Sequence, residues 1–171
     1  MKWLRSRDWI LVIIAIFVAA LVTIVIYPAK ADEAHYQAEL TCLAQTIYYE
    51  GRSEPDEGRA AIGQVVINRV LHPRFPNTIC GVVKQGGEDA LHKCQFSWYC
   101  DGKPDNPYNP EAWAFALELA ESFMQGNVFP PARGALHYHA EYVNPTWADN
   151  LQFIGKFGVH LFYGQERGIT A

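Results

Sequence analysis

Glu50 lies three residues after Ile47 and seven after Leu43, within LTCLAQTIYYEGRSEP. On a helix it shares the face that carries their apolar side chains. A carboxylate on such a face is costly to keep ionised, so its pKa rises. A glutamate that holds its proton at a helix end, beside Gly51, suits proton donation to a leaving group. Glu54 follows one turn later and is the nearest second carboxylate for a reaction that needs two. Asp56 and Glu57 suit the first turn of a following helix, where negative charge meets the helix dipole. His137 and His139 suggest a different chemistry. Alternate residues of a strand put both rings on one face at metal-ligand spacing. With His160, His35 or Glu141 they could complete a zinc site and make a metallopeptidase, although no His-Glu-x-x-His segment accompanies them.

The elements that must place Glu50 are legible as periodicities. Leu40, Leu43, Ala44 and Ile47 predict a helix from Glu39 to the glycine at 51, after a short polar lead-in over residues 32–38. A second helix is predicted from about Pro55 to Leu71, capped by Ser53 or Glu54 and stopped by Pro73. Its apolar positions are Ala61, Ile62, Val65, Val66 and Val70, and Asn68 and Arg69 read as fold supports. A third helix starts at Asn109-Pro110, with Trp113, Ala116, Leu117, Ala120, Phe123 and Met124 as its stripe, and ends at Gly126. Residues 72–108 are rich in Gly, Pro and Asn and predict loops with short strands, Gln95–Tyr99 being the best strand. From Ala135 to Tyr142 the period becomes two, and a final short strand is expected at Val159–Tyr163. Helices followed by short strands predict a mainly helical α+β fold.

Charged residues make up 19% of the 171 positions, fewer than the roughly 25% usual for soluble domains. The deficit has a local cause. Trp9 to Tyr27 reads WILVIIAIFVAALVTIVIY, without a charge and about 28 Å long as a helix, close to the thickness of a bilayer core. Lys2, Arg5 and Arg7 precede it, which orients the remainder outward. The expectation is an inner-membrane anchor facing the periplasm, or a signal peptide cleaved after Ala31. The chain then divides into an export segment, 1–31, and one domain, 32–171. Four of the 14 basic residues and one of the 18 acidic ones fall in 1–31, so the domain carries a formal charge of −7. Such acidity argues against nucleic acid as a partner. Cys42, Cys80, Cys94 and Cys100 form an even set without Cys-x-x-Cys spacing, which predicts two disulfides in one of three pairings.

Five blocks in order carry a family resemblance: CLAQTIYYEGRSEPDEGRAAIGQVVINRV, FPNTICGVV, CQFSWYCDG, LHYHAEYVNPTW and IGKFGVHLFY. Together they resemble the SleB/CwlJ-type cell wall hydrolases over roughly residues 39–163. The usual Glu-Ala-Arg-Gly-Glu block stands here as Glu50-Gly51-Arg52-Ser53-Glu54, departing at Gly51 and Ser53. The G-x-H-x-F-Y ending is met by Gly158 to Tyr163. The resemblance implies a lysozyme-like domain related to goose-type lysozymes and lytic transglycosylases. It also implies Glu50 as catalytic acid, peptidoglycan glycan strands as substrate and no cofactor.

With one strong carboxylate, a lytic transglycosylase is expected ahead of a two-carboxylate glycan hydrolase. A zinc endopeptidase through His137 and His139, or a non-catalytic wall-binding domain, are the remaining readings. Expected substrate contacts are Glu54, Gln95, Phe96, Ser97, Tyr138, His139 and Trp147.

Overall fold

The computed structural model describes residues 6–87 and 93–166. The chain divides into two compact units, residues 1–37 and 38–171. Helix α1 (Ser6–Glu50) begins in the first and ends in the second. Residues 32–38, expected as a lead-in, are helical instead. Their alanines, Glu33 and Gln37 favour helix, and Gln37 Nε2 donates to Glu33 Oε1 one turn away at 2.9 Å. Among the described residues no helix is long and apolar enough to cross a membrane. The span predicted over 9–27 falls in part on residues 19–27, whose side chains lie outside the described ones, as does Ala29 of the predicted cleavage motif.

In the second unit, α2 (Asp56–Val70) is the central helix. One side packs Val66 against Leu43, Ala44 and Ile47 of α1 and Phe123 of α4 (Pro110–Met124). The other packs Ala61, Ile62 and Val65 against Ala132, Ala135 and Phe162. Burial on both sides explains why its apolar residues do not form a single stripe. Its N-cap is Pro55, without a side-chain hydrogen bond, rather than Ser53 or Glu54. Glu54 is drawn to a tertiary partner instead, as described below. The expected start of α4 holds: Asn109 Oδ1 accepts from the Ala112 amide at 3.0 Å, with Pro110 next.

Residues 72–108 hold a short helix, α3 (Ile79–Lys84), too brief to show a period in sequence. Thr78 caps it, and buried Glu39 of α1 accepts from the Ile79 amide at 2.5 Å. The Cys42–Cys80 disulfide ties the same two helices. The strand expected at Gln95–Tyr99 is a 3-10 turn over Ser97–Cys100. Cys94 and Cys100 are bridged with their Cα atoms 6.1 Å apart, whereas six extended residues would separate them by about 20 Å.

Strands β1 (His137–Ala140), β2 (Leu151–Phe157) and β3 (His160–Glu166) form an antiparallel sheet in the order β1-β3-β2. Tyr138 of β1 pairs with Phe162 of β3. Polar side chains of α2 set where β1 begins. Asn68 donates to the carbonyls of Ala132 and Ala135, and Arg69 Nε to that of Leu136 at 2.8 Å. The fold-support reading of these two residues agrees with this. Mainly helical with a small sheet, the architecture follows the expected class.

Candidate active site

Glu50 is the last residue of α1 and is partly buried. The chain turns at once: the Gly51 amide bonds to Ile47 O and the Glu54 amide to Gly51 O, each at 3.0 Å. This turn aims Glu50 into a cleft of about 660 Å³. The cleft is walled by Tyr49 and Arg52, by Ser97 and Trp98 of the 3-10 turn, and by the 101–108 segment with Asp101, Lys103, Asp105 and Tyr108. Tyr49 and Trp98 stack with centroids 4.9 Å apart. The Tyr49 hydroxyl and Trp98 Nε1 have no hydrogen-bond partner among the described residues.

The last turns of α1 also fasten the facing wall. Tyr48 Oη accepts from the amides of Tyr108 and Asn109 at 3.2 and 3.1 Å, and Gln45 Nε2 donates to Asp105 O at 2.9 Å.

Tyr138 of β1 donates its hydroxyl to Glu50 Oε2 at 3.1 Å. Its ring stacks on Phe162 and meets His160 edge-on. Burial pushes the Glu50 carboxyl above the ordinary glutamate range, while the Tyr138 hydrogen bond and the Arg69 cation pull it back. Burial first, then the Glu50 charge, drives the Tyr138 hydroxyl well up, so it stays a donor. Arg69 is 2% exposed, its guanidinium over Phe75 and Phe96 and its Nη1 without a hydrogen-bond partner. Burial lowers its pKa, and Tyr138 and Glu50 oppose that. The Asp105 carboxyl is raised by burial and by Asp101.

Glu54 is 5% exposed. Its Oε2 accepts from the Val159 amide at 3.0 Å, and its Oε1 lies 2.9 Å from His160 Nδ1. Gly158 permits this: its φ is +62°, and a Cβ there would overlap the Glu54 carboxylate. Glu54 therefore clamps the β2–β3 turn through Oε2, while its Oε1 faces His160 Nδ1, which makes no hydrogen bond among the described residues.

Of the predicted substrate contacts, Ser97 alone is among the residues that line the cleft. Gln95 is exposed outside the lining, and Phe96 is core, beneath Arg69. His139 is buried, with Nδ1 at Ala140 O and Nε2 at the Tyr163 hydroxyl. Trp147 packs on His137, His139 and Tyr163. Burial and the cations of Arg69 and Arg74, then His72, lower the His137 pKa to about 4. Neither ring nitrogen of His139 is spare, His160 serves Glu54, and among the described residues no His, Cys, Asp and Glu side chains group as a metal site.

Tyr49, Trp98 and Tyr108 belong to no site expected from sequence, and Arg52 enters there only as a member of the Glu50–Glu54 block. Their signal was a density of aromatics flanking Glu50 and Cys100. Arg69 was legible as a cation on the face of Val65 and Val66, yet nothing local linked it to Glu50.

Residues 53–163 match the Cell Wall Hydrolase family, and the chain belongs to it. The spore cortex-lytic enzyme of Bacillus subtilis is 30% identical over 125 residues, covering 72% of this chain and 37% of that protein. Its counterpart in Halalkalibacterium halodurans is 38% identical over 125 residues, covering 72% and 34%. The chain thus spans less than half the length of these curated relatives. Among solved structures, the catalytic domain of the germination-specific lytic transglycosylase SleB from Bacillus anthracis aligns with a TM-score of 0.56 at 28% identity. That alignment covers 74% of this chain and 94% of that one.

Proposed function

We propose that residues 38–171 cleave the glycan backbone of peptidoglycan between muramic acid and glucosamine, as a lytic transglycosylase. The observation that carries this reading is Glu50: a carboxyl raised by burial, held by Tyr138, at the wall of an aromatic cleft. Protonated Glu50 donates to the glycosidic oxygen as the C1–O bond breaks. The muramic C6 hydroxyl then bonds to C1, and the Glu50 carboxylate accepts the proton that hydroxyl loses. One carboxylate thus serves both steps, and the 1,6-anhydro product needs no water. Glu54 is buried, with Oε2 held by the Val159 amide, and acts as a clamp rather than as a second catalyst. The similarity to a SleB catalytic domain supports the same reading.

Simple hydrolysis is the second reading, favoured by Asp101 and Asp105 in the cleft wall, where a raised Asp105 suits a base for water. Mass spectrometry of digested peptidoglycan separates the two. Anhydromuramic ends are expected; reducing ends would establish hydrolysis instead, and new amino groups would establish peptide cleavage. Full activity in Glu50→Gln would remove the acid assignment. Residues 9–27 are read as the tether that holds this activity to strands near the inner membrane, and retention in the membrane fraction after a high-salt wash tests that.

A further inference from the structure

Beside the cleft lies a second cavity of about 160 Å³, bounded by the turn after Glu50, the start of α2 and the first turns of α4. It shares Arg52 and Tyr108 with the cleft and adds Gly51, Arg59, Asn109 and Phe115. We propose that this cavity receives a carboxylate of the peptide branch carried by a muramic residue bound in the cleft. The proposal rests on glycan cleavage in the cleft, as inferred above.

Two arginines, Arg52 and Arg59, line it. Arg52 is exposed, lies 4.8 Å from the Tyr108 ring centroid, and has no carboxylate ion pair among the described residues. Arg59 lies across the turn: Nε donates to Gly51 O at 3.1 Å, and the guanidinium sits 5.0 Å from the Phe115 centroid. Its contact with Asp56 is 3.7 Å long and Asp56 is 78% exposed, a weak pair that an incoming carboxylate can displace. Gly51 makes this path available, since a Cβ there would meet Arg59 Cγ at 2.8 Å.

Charge balance points the same way. A domain at −7 repels an anionic polymer unless cations stand where the anion sits. Lys103, the other cation in the cleft wall, is 81% exposed and faces Asp101 at 3.3 Å, outside the smaller cavity. A planar fork of Arg donors matches a carboxylate. A cavity of this size accommodates a carboxylate on a short stem. The two spaces share Arg52 and Tyr108, which sets the smaller one beside a sugar bound in the larger one.

The test compares kcat/KM on three glycan substrates: intact peptide-bearing strands, strands stripped by an amidase, and strands with methyl-esterified peptide carboxylates. Wild type is expected to prefer intact strands over both others by on the order of tenfold, the worth of one charge-assisted hydrogen bond. Arg52→Gln is expected to bring that ratio towards one. So is Ala112→Leu, which closes the cavity and leaves both arginines in place. Equal wild-type rates on all three overturn the carboxylate site while leaving glycan cleavage intact. A preference that survives in both variants overturns it too, and so does an esterified strand behaving like the intact one. No glycan cleavage of any strand by wild type overturns the underlying function as well.

Discussion

Replacing Tyr138 by phenylalanine isolates one hydrogen bond at the acid. The ring keeps its stack on Phe162 and its edge contact with His160, so the sheet should fold as before. What is lost is the donor 3.1 Å from Glu50 Oε2, which stabilises the carboxylate over the carboxyl. A hydrogen bond to a charged group contributes about 1.5–3 kcal/mol, and about 1.4 kcal/mol is tenfold in proton affinity. Burial then acts with less opposition, because only Arg69 still pulls the pKa down. A general acid must be protonated, so activity falls as pH rises through the pKa of Glu50. The alkaline limb of the pH–rate profile should therefore move to higher pH, with the variant outperforming wild type on that limb. Arg52, Asp101, Lys103 and Asp105, which line the same cleft, are unchanged by the substitution. The assay is the initial rate of chain-end release from purified peptidoglycan, from acid to alkaline pH. An alkaline limb that stays put or moves down refutes the reasoning. A raised KM with a fixed limb would make Tyr138 a substrate contact instead.

Other outcomes follow from the same geometry. Glu50→Gln should be inactive yet more heat-stable than wild type at neutral pH. A carboxyl raised by burial loses folding stability as pH climbs from its unfolded to its folded pKa. The gain should vanish in acid below the ordinary glutamate range, as melting temperatures across pH will show. Gly158→Ala should cost about 1–2 kcal/mol for the left-handed backbone alone, and more from displacing Glu54, read as a lower urea midpoint. Removing Cys42–Cys80 by paired alanines should cost about 4 kcal/mol by loop-closure entropy over its 38-residue separation. A paired loss at Cys94–Cys100, six residues apart, should cost less, about 2 kcal/mol, but should reduce activity through the Trp98 wall.

Glu50 was readable because its signal is local: a carboxylate in step with Leu43 and Ile47. The starts of α2 and α4 were readable for the same reason, from prolines and a capping asparagine. Glu54 was not. Its partners, the Val159 amide and His160, lie more than a hundred residues away, and no periodicity reports them. The 3-10 turn at Ser97 was hidden because β-prone residues there are overruled by the Cys94–Cys100 closure. The type and place of Tyr138 suggest a substrate contact, but its bond to the acid, across 88 residues of sequence, has no local signal. β2 was missed because burial along it does not alternate. Its register with β3 shifts around Phe153, which breaks the period a sequence pattern needs.

The attachment of Tyr108, Asn109 and Asp105 to Tyr48 and Gln45 bears on how the enzyme moves. Both lips of the groove are referenced to the same two turns of one helix. A tilt or slide of that helix carries the proton donor and the opposite lip together, so the gap between them is insensitive to such motion. The cleft behaves as a fixed-width gauge rather than a jaw. On the proposed reading, a glycan strand bound there meets one fixed spacing between Glu50 and the opposite lip.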